Sequence, residues 1–393
     1  FPCRRWLAAC ADRSPSCDLK HYGLGPRGVI PLATSLSINA HICELDLSDN
    51  RLGGPGIGAV LQAIRSGGPQ RLQRLDLSGN QAGTDGTEAL ANFLLCSADK
   101  QPGPKLSVLA FESNGITDKG AAKLAPSLGA LPGIGFMVGN GKPGPCLGSF
   151  LKALSLARND IAESGRAICA ALEGNATLEA VDLSWNQITD GAAVAKIIRE
   201  NRKLRQLNVS WNGLGDAGIV AMTTALSQAP EDERLTSLAV ARNRVSAKGA
   251  LALALLVGKL DVLDISGNPI GAEGAKPILA AYQEAMAASP SCRLVANDIC
   301  VRDGTPVAKM LELVAEGKPL ESPNDDKADL EPLAEQLVEV SLEDKNRGYQ
   351  PKKPGNKTAI TRSSGNLSFP GIIGGVQENG DDAFEIRPRR NKR

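Results

Sequence analysis

One asparagine, held in a fixed register by the residues around it, recurs along this 393-residue chain and limits its fold more than any other feature. The string ICELDLSDNRLGGPG at 42–56 returns as LQRLDLSGNQAGTDG at 72–86, LEAVDLSWNQITDG at 178–191, LRQLNVSWNGLGDAG at 204–218 and LDVLDISGNPIGAEG at 260–274. Weaker copies begin at Leu106, Leu151 and Leu235, and a partial one runs through Leu19. The asparagine column is Asn50, Asn80, Asn114, Asn159, Asn186, Asn212, Asn243 and Asn268, with Tyr22 in the first copy. Successive spacings are 28, 30, 34, 45, 27, 26, 31 and 25 residues. A fixed period in this range is the mark of a stacked repeat array.

Two hydrophobic periods lie inside each unit. Leu45-x-Leu47 alternates as a short strand does, with Glu44, Asp46 and Ser48 on the other face. Ten and fourteen residues past the asparagine column stand Leu32 and Leu36, Leu90 and Leu94, Leu124 and Leu128, Met222 and Leu226. A spacing of four marks one helix face. Each unit is therefore a strand, a turn and a helix, and only stacking hides its apolar side. With aromatics at 3%, aliphatic side chains must build that core. A carboxamide offers both donors and an acceptor, so the asparagine column is expected to be structural, satisfying backbone groups where each chain turn leaves its strand.

The ends and gaps divide the chain further. Residues 1–18 are expected to cap the front, and 19–290 to hold about nine repeats. The 45-residue spacing contains an insertion at 129–149, rich in Gly and Pro. At the back, 291–317 reads as a C-terminal cap, with a final strand at 292–301 and a closing helix at 306–317. Residues 312–344 then carry a net charge of −9, and 345–393 a net of +7. An acidic amphipathic helix is expected at 318–344, with Leu330, Leu333, Leu337 and Val340 on one face. The basic tail 345–393 reads as disordered.

On these residues the chain resembles the leucine-rich repeat family, in its ribonuclease-inhibitor-type subclass. The stretch LKHYGLGPRGVIPLATSLSINAHICELDLSDNRL at 19–52, with LNVSWNGLGDAG and RNRVSAKGALAL, is similar to the leucine-rich-repeat-containing proteins of family seventy-four. WLAAC at 6–10 fits the start of that group. The resemblance covers about 1–300 and departs at 129–149. It implies an α/β solenoid shaped as a horseshoe, with parallel strands on the concave face and helices on the convex face. It also implies a role in protein binding and transfers no catalytic residue.

Competing motifs are weaker. Gly23-x-Gly25-x-x-Gly28 matches a dinucleotide-binding turn, with Glu44 and Asp46 near the place of a ribose-binding carboxylate. The same spacing recurs at Gly213, Gly215 and Gly218, and Gly28 shares a column with Gly56, Gly86, Gly120, Gly218, Gly249 and Gly274. The glycines thus belong to the repeat. Two histidines and nine scattered cysteines without a CxxC leave little for metal binding or nucleophilic catalysis. No cofactor and no metal are expected. The cysteine usage and the absence of a secretory layout near Phe1 point to a cytoplasmic location, with ciliary, flagellar or nuclear alternatives. Four Asn-x-Ser/Thr acceptors, at Asn175, Asn208, Asn356 and Asn366, are then silent.

In a stacked array each column becomes a surface. The position between the strand leucines reads Asp46, Asp76, Ala110, Ser155, Asp182, Asn208, Ala239, Asp264. The position before the asparagine reads Asp49, Gly79, Ser113, Arg158, Trp185, Trp211, Arg242, Gly267. Trp and Arg dominate binding hot spots. Arg158, Trp185, Trp211 and Arg242 are the expected anchor of a partner surface, with Asp182, Asn208 and Asp264 as polar contacts beside it. In the alternative the indoles only stack and cover the turn. Adjacent Asp46 and Asp76 are expected to form a negative docking patch, because an open sheet has no pocket for acid–base catalysis.

The expected function is a non-enzymatic scaffold binding a protein on the concave face, as a monomer when alone. With a net charge of +1, neither nucleic acid nor a membrane is favoured as a partner. The rival class is an activator of a small GTPase, suggested by the acidic segment after the repeats.

Overall fold

The computed structural model describes residues 15–95, 104–129, 150–230, 235–288, 292–302, 304–318 and 320. The insertion from 130 to 149, the acidic segment from 321 to 344 and the basic tail lie outside these residues.

Ten short strands form one sheet whose spatial order is the chain order. They are β1 (Ser16–Asp18), β2 (Glu44–Asp46), β3 (Arg74–Asp76), β4 (Val108–Ala110), β5 (Ala153–Ser155), β6 (Ala180–Asp182), β7 (Gln206–Asn208), β8 (Ser237–Ala239), β9 (Val262–Asp264) and β10 (Arg293–Val295). A helix follows each: α1 (Gly25–Leu36), α2 (Gly53–Arg65), α3 (Gly83–Leu95), α4 (Asp118–Leu128), α5 (Gly165–Glu173), α6 (Gly191–Glu200), α7 (Gly215–Gln228), α8 (Ala247–Ala254), α9 (Gly271–Ala288) and α10 (Pro306–Ala315). All pairings are parallel and keep one register: Leu45 faces Leu75, Leu75 faces Leu109, and Leu109 faces Leu154 across the insertion. The array is an α/β solenoid of stacked strand, turn and helix units. Helices about 10 Å thick cannot keep the roughly 4.8 Å spacing of strands, so the helix side fans out and the strand side is concave.

The sheet opens at Ser16, inside the segment 1–18 assigned to a front cap. Cys17 takes the first leucine position there, is buried and pairs with Leu45. A buried cysteine behaves as a small hydrophobe, which disguised the strand's pattern.

The leucine pairs line the core between the layers. Leu32, Leu36, Leu90, Leu94, Leu124, Leu128, Met222 and Leu226 are all buried on the inner helix faces. The glycine column exists because of this packing. A Cβ on Gly86 would come within 2.7 Å of the Ala82 Cβ, and one on Gly274 within 2.8 Å of the Ala250 Cβ. At Gly28, in the outermost unit, the nearest atom would be 3.9 Å away. The apparent dinucleotide motif therefore copies a packing column at the one place where packing does not require it. Cys169 is buried in the same core, and burial, helped by Asp190 and Glu173, pushes its thiol up to about 12, so it stays protonated. No helix among the described residues is long and apolar enough to cross a membrane.

Candidate functional site

The asparagine seam fixes the turn that displays the candidate surface. Each carboxamide reaches backbone in its own repeat and in the one before. Asn80 Oδ1 accepts from the N–H of Asn50 at 3.1 Å and of Leu52 at 3.3 Å, while its Nδ2 donates to the carbonyls of Leu47 and Leu77 at 2.9 Å each. Asn114, Asn159 and Asn268 repeat both halves of this pattern. Asn50, Asn186, Asn212 and Asn243 likewise join the preceding turn. All eight are buried.

The residue before each asparagine is forced into left-handed backbone. His21, Asp49, Gly79, Ser113, Arg158, Trp185, Trp211, Arg242, Gly267 and Asp298 all have φ between +50 and +68°. From His21 to Gly267 their N–H groups extend the strand ladder by one bond; Trp185 donates to Ser210 O at 2.9 Å and Trp211 to Ala241 O at 2.7 Å. Gly, Asn and Asp adopt this region readily, whereas bulky side chains do so at a cost of about 1–2 kcal/mol. Trp and Arg are therefore not what the turn itself selects.

Four consecutive repeats nevertheless carry Arg, Trp, Trp and Arg. The indoles of Trp185 and Trp211 stack with centroids 3.7 Å apart and planes 13° apart. The Arg158 guanidinium lies 5.1 Å from the Trp185 ring centroid, and that of Arg242 lies 4.5 Å from the Trp211 ring. Arg242 continues to Asp298 Oδ2 at 2.7 Å. It crosses the intervening repeat over Gly267, where a Cβ would meet the Arg242 Cγ at 2.5 Å. The ladder thus runs Arg158, Trp185, Trp211, Arg242, Asp298. Stacking contributes about 0.5–1.5 kcal/mol and each exposed cation–π contact about 0.5–1 kcal/mol, which offsets only part of the backbone strain. Both indoles stay 41% and 38% exposed, which is unusual for the largest apolar side chain.

The strand column beside the ladder is partly turned inward. Asp182 Oδ1 accepts from Ser184 N at 2.8 Å, and its Oδ2 from Asn208 Nδ2 at 3.0 Å. Asp264, Asp46 and Asp76 accept in the same way from Ser266, Ser48 and Ser78, so each has one oxygen committed to its own turn. Burial raises the carboxyls of Asp76, Asp182 and Asp264 above the ordinary range, against the hydrogen bonds that lower them. Asp182 and Asn208 stand on β6 and β7 next to the indoles, and Asp264 on β9. Asp46 and Asp76 lie on β2 and β3, three or more strands from Trp185, about 15 Å at the usual strand spacing. They form a separate patch.

Two features were not anticipated from the sequence. Glu112 is the only carboxylate in a column that otherwise reads Ser48, Ser78, Ala157, Ser184, Ser210, Ala241 and Ser266. It is half-buried, accepts from Ser155 Oγ at 2.7 Å, and is raised by burial and by Asp182 and Asp76. It links the two acidic regions, and its departure from the column was the available signal. A second asparagine set, Asn39, Asn175 and Asn201, returns the chain to the next strand. Their Oδ1 atoms accept from the N–H groups two and three residues on. Asn175 is buried, with Nδ2 donating to Leu128 O at 2.8 Å, so its glycosylation motif is sealed inside the fold.

No group of three or more His, Cys, Asp or Glu side chains among the described residues is arranged to hold a metal ion. A family model described as leucine-rich repeat matches residues 39–61, 70–91, 104–125, 174–195, 200–222, 234–254 and 259–279. A solved internalin from Listeria monocytogenes is similar at 17% identity and a TM-score of 0.41, over 70% of this chain and 60% of its own. The seven matched segments fall one to a unit on β2, β3, β4, β6, β7, β8 and β9 with their following helices. Matched and unmatched strands sit in one unbroken parallel register, and this chain is accordingly a leucine-rich repeat protein.

Proposed function

We propose that this chain is a non-enzymatic scaffold that holds a partner protein on its concave strand face. Leucine-rich repeats generally mediate protein–protein interaction. The reading here is finer: Arg158, Trp185, Trp211 and Arg242 are the anchor, and Asp182, Asn208 and Asp264 supply polar contacts beside it. One observation carries it, the pair of exposed indoles kept in left-handed backbone where glycine or asparagine would suit the turn better. Rigid aromatic side chains clamped by guanidinium groups lose little entropy on docking. Asp46 and Asp76 form a second, acidic contact farther along the face. The α-helix that follows every strand supports the ribonuclease-inhibitor-type subclass, and the motifs at 19–52 support a place near family seventy-four.

The test is affinity capture with the wild type, with Trp185→Ala/Trp211→Ala, and with the convex-face control Lys196→Ala. Partners held by the wild type and the control are expected to be lost from the double variant, whose unfolding midpoint stays within a few degrees. An unchanged set of partners would remove the ladder from the interface. A collapsed fold would make the indoles structural.

A further inference from the structure

We infer that the partner meets the ladder edge-on, through a carboxylate-bearing segment of a protein. This rests on the protein-docking reading of the same face and assigns its chemistry. Each indole has both faces occupied, the inner by the other ring and the outer by Arg158 or Arg242. No face is left for an aromatic or cationic group to stack on. Only the edges are offered, and an indole edge is the positive end of the ring quadrupole and carries the Nε1–H donor. Among the described residues neither indole N–H has an acceptor, and Arg158 makes no ion pair, although its charge works to lower the carboxyls of Glu112 and Asp182.

Two residues beyond the ladder, the same turns display Gln187, Gly213 and Arg244. Arg244 is exposed, has left-handed backbone and is without an ion pair among the described residues. Arg158, the two indole edges and Arg244 therefore make a strip dominated by donors, with Asp160 at its Arg158 end. On the sheet side stand Asp182 and Glu112, and Asp298 closes the far end. Discrete glutamate or aspartate side chains can meet the donors singly and be spaced away from these carboxylates. A continuous polyphosphate would run against them, and its bases would find no open ring to stack on, so nucleic acid is disfavoured.

The full chain with ¹⁵N-labelled tryptophan gives one indole signal each for Trp185 and Trp211, with Trp6 as reference. Four probes are titrated: a blocked alternating Glu-Gly peptide, its Gln-Gly and Lys-Gly counterparts, and a thymidine oligonucleotide. The Glu-Gly peptide is expected to move both ladder signals saturably and leave Trp6 in place. The Gln-Gly peptide and the Arg158→Gln variant should each bind about tenfold more weakly, the worth of one charge-assisted contact. The excitonic circular dichroism of the stacked indoles reports whether Arg158→Gln keeps the ladder. If it does not, Arg244→Gln must show the same weakening with the stack intact.

Equal shifts from Gln-Gly, larger shifts from Lys-Gly, competition by the oligonucleotide, or no ladder shift at all would each overturn the acidic-segment assignment. A Lys-Gly response would leave the docking face standing with the opposite charge preference. Loss of partner capture in the double tryptophan variant is decided separately, so the two failures are distinguishable.

Discussion

A single carboxamide decides whether two neighbouring turns agree. Asn80 serves five backbone groups at once, belonging to Asn50, Leu52, Leu47, Leu77 and Ser78. Replacing it with alanine leaves the N–H groups of Asn50 and Leu52 without an acceptor in a buried seam, where an unmade hydrogen bond costs about 1–3 kcal/mol, while the Leu47 and Leu77 carbonyls keep the Nδ2 donors of Asn50 and Asn114. Partial relaxation and water entry keep the sum below two full penalties. We expect Asn80→Ala to lower stability by about 3 kcal/mol, read from the urea midpoint at unchanged slope; a loss under about 1 kcal/mol would mean the seam is not what fixes the turns. The column was legible because one chemical need recurs in every unit. Asn39, Asn175 and Asn201 were not, because their need is met differently elsewhere: at the corresponding place Pro69 offers its carbonyl to Leu72 N at 3.1 Å. The Trp–Trp and Trp–Arg adjacencies followed from register alone. The Arg242–Asp298 pair did not, since it skips a repeat and depends on a glycine between.

Some helices in this array begin on borrowed caps, whereas α6, α8 and α10 carry their own in Asp190, Ser246 and Thr305. At α1, α2, α5 and α7 the residue at the cap position makes no side-chain hydrogen bond to the helix. Carboxylates from the preceding unit act in place of a cap at α5 and beside the Ser246 cap at α8. Asp118, in the first turn of α4, accepts from the N–H groups of Ala162 and Ser164 at 2.9 Å, ahead of α5. Burial works to raise its carboxyl, but these backbone donors win and hold it below the ordinary range. Asp216, in the first turn of α7, takes the N–H of Ser246 at 2.7 Å, its Oγ at 2.6 Å and the N–H of Gly249 at 3.1 Å. Strand and helix positions were readable from the two apolar periods. The caps were not, because a local rule looks for the partner within the same helix. Asp216→Ala is expected to cost about 2 kcal/mol, with faster amide exchange confined to the first turns of α7 and α8. Acceleration spread evenly over α7 and α8 would show that the carboxylate stabilises packing rather than the cap.

Stability in the whole array is a chain of nearest-neighbour terms, since every strand pairs only with its sequence neighbours. The ends have one neighbour and the middle has two. At the back, Val314 is the only buried residue of α10. At the front, Ile30 and Ile38 are 55% and 85% exposed on and just after α1. Between them, β5 keeps its register on both sides although a 45-residue spacing precedes its asparagine. Native-state amide exchange should therefore be fastest in α10 and β10, slower in β1 and β2, and slowest from β5 to β7. Uniform protection from end to end would mean a single cooperative block and would contradict the nearest-neighbour description. The ladder residues Arg158, Trp185, Trp211 and Arg242 hang on the turns after β5 to β8, at or next to the expected protection maximum. A surface built there keeps its shape while the ends fray. That is the physical condition for strained, exposed indoles to work as a preformed anchor, and it ties the exchange gradient to the docking face: if those turns exchange as fast as the ends, the anchor is not preorganised.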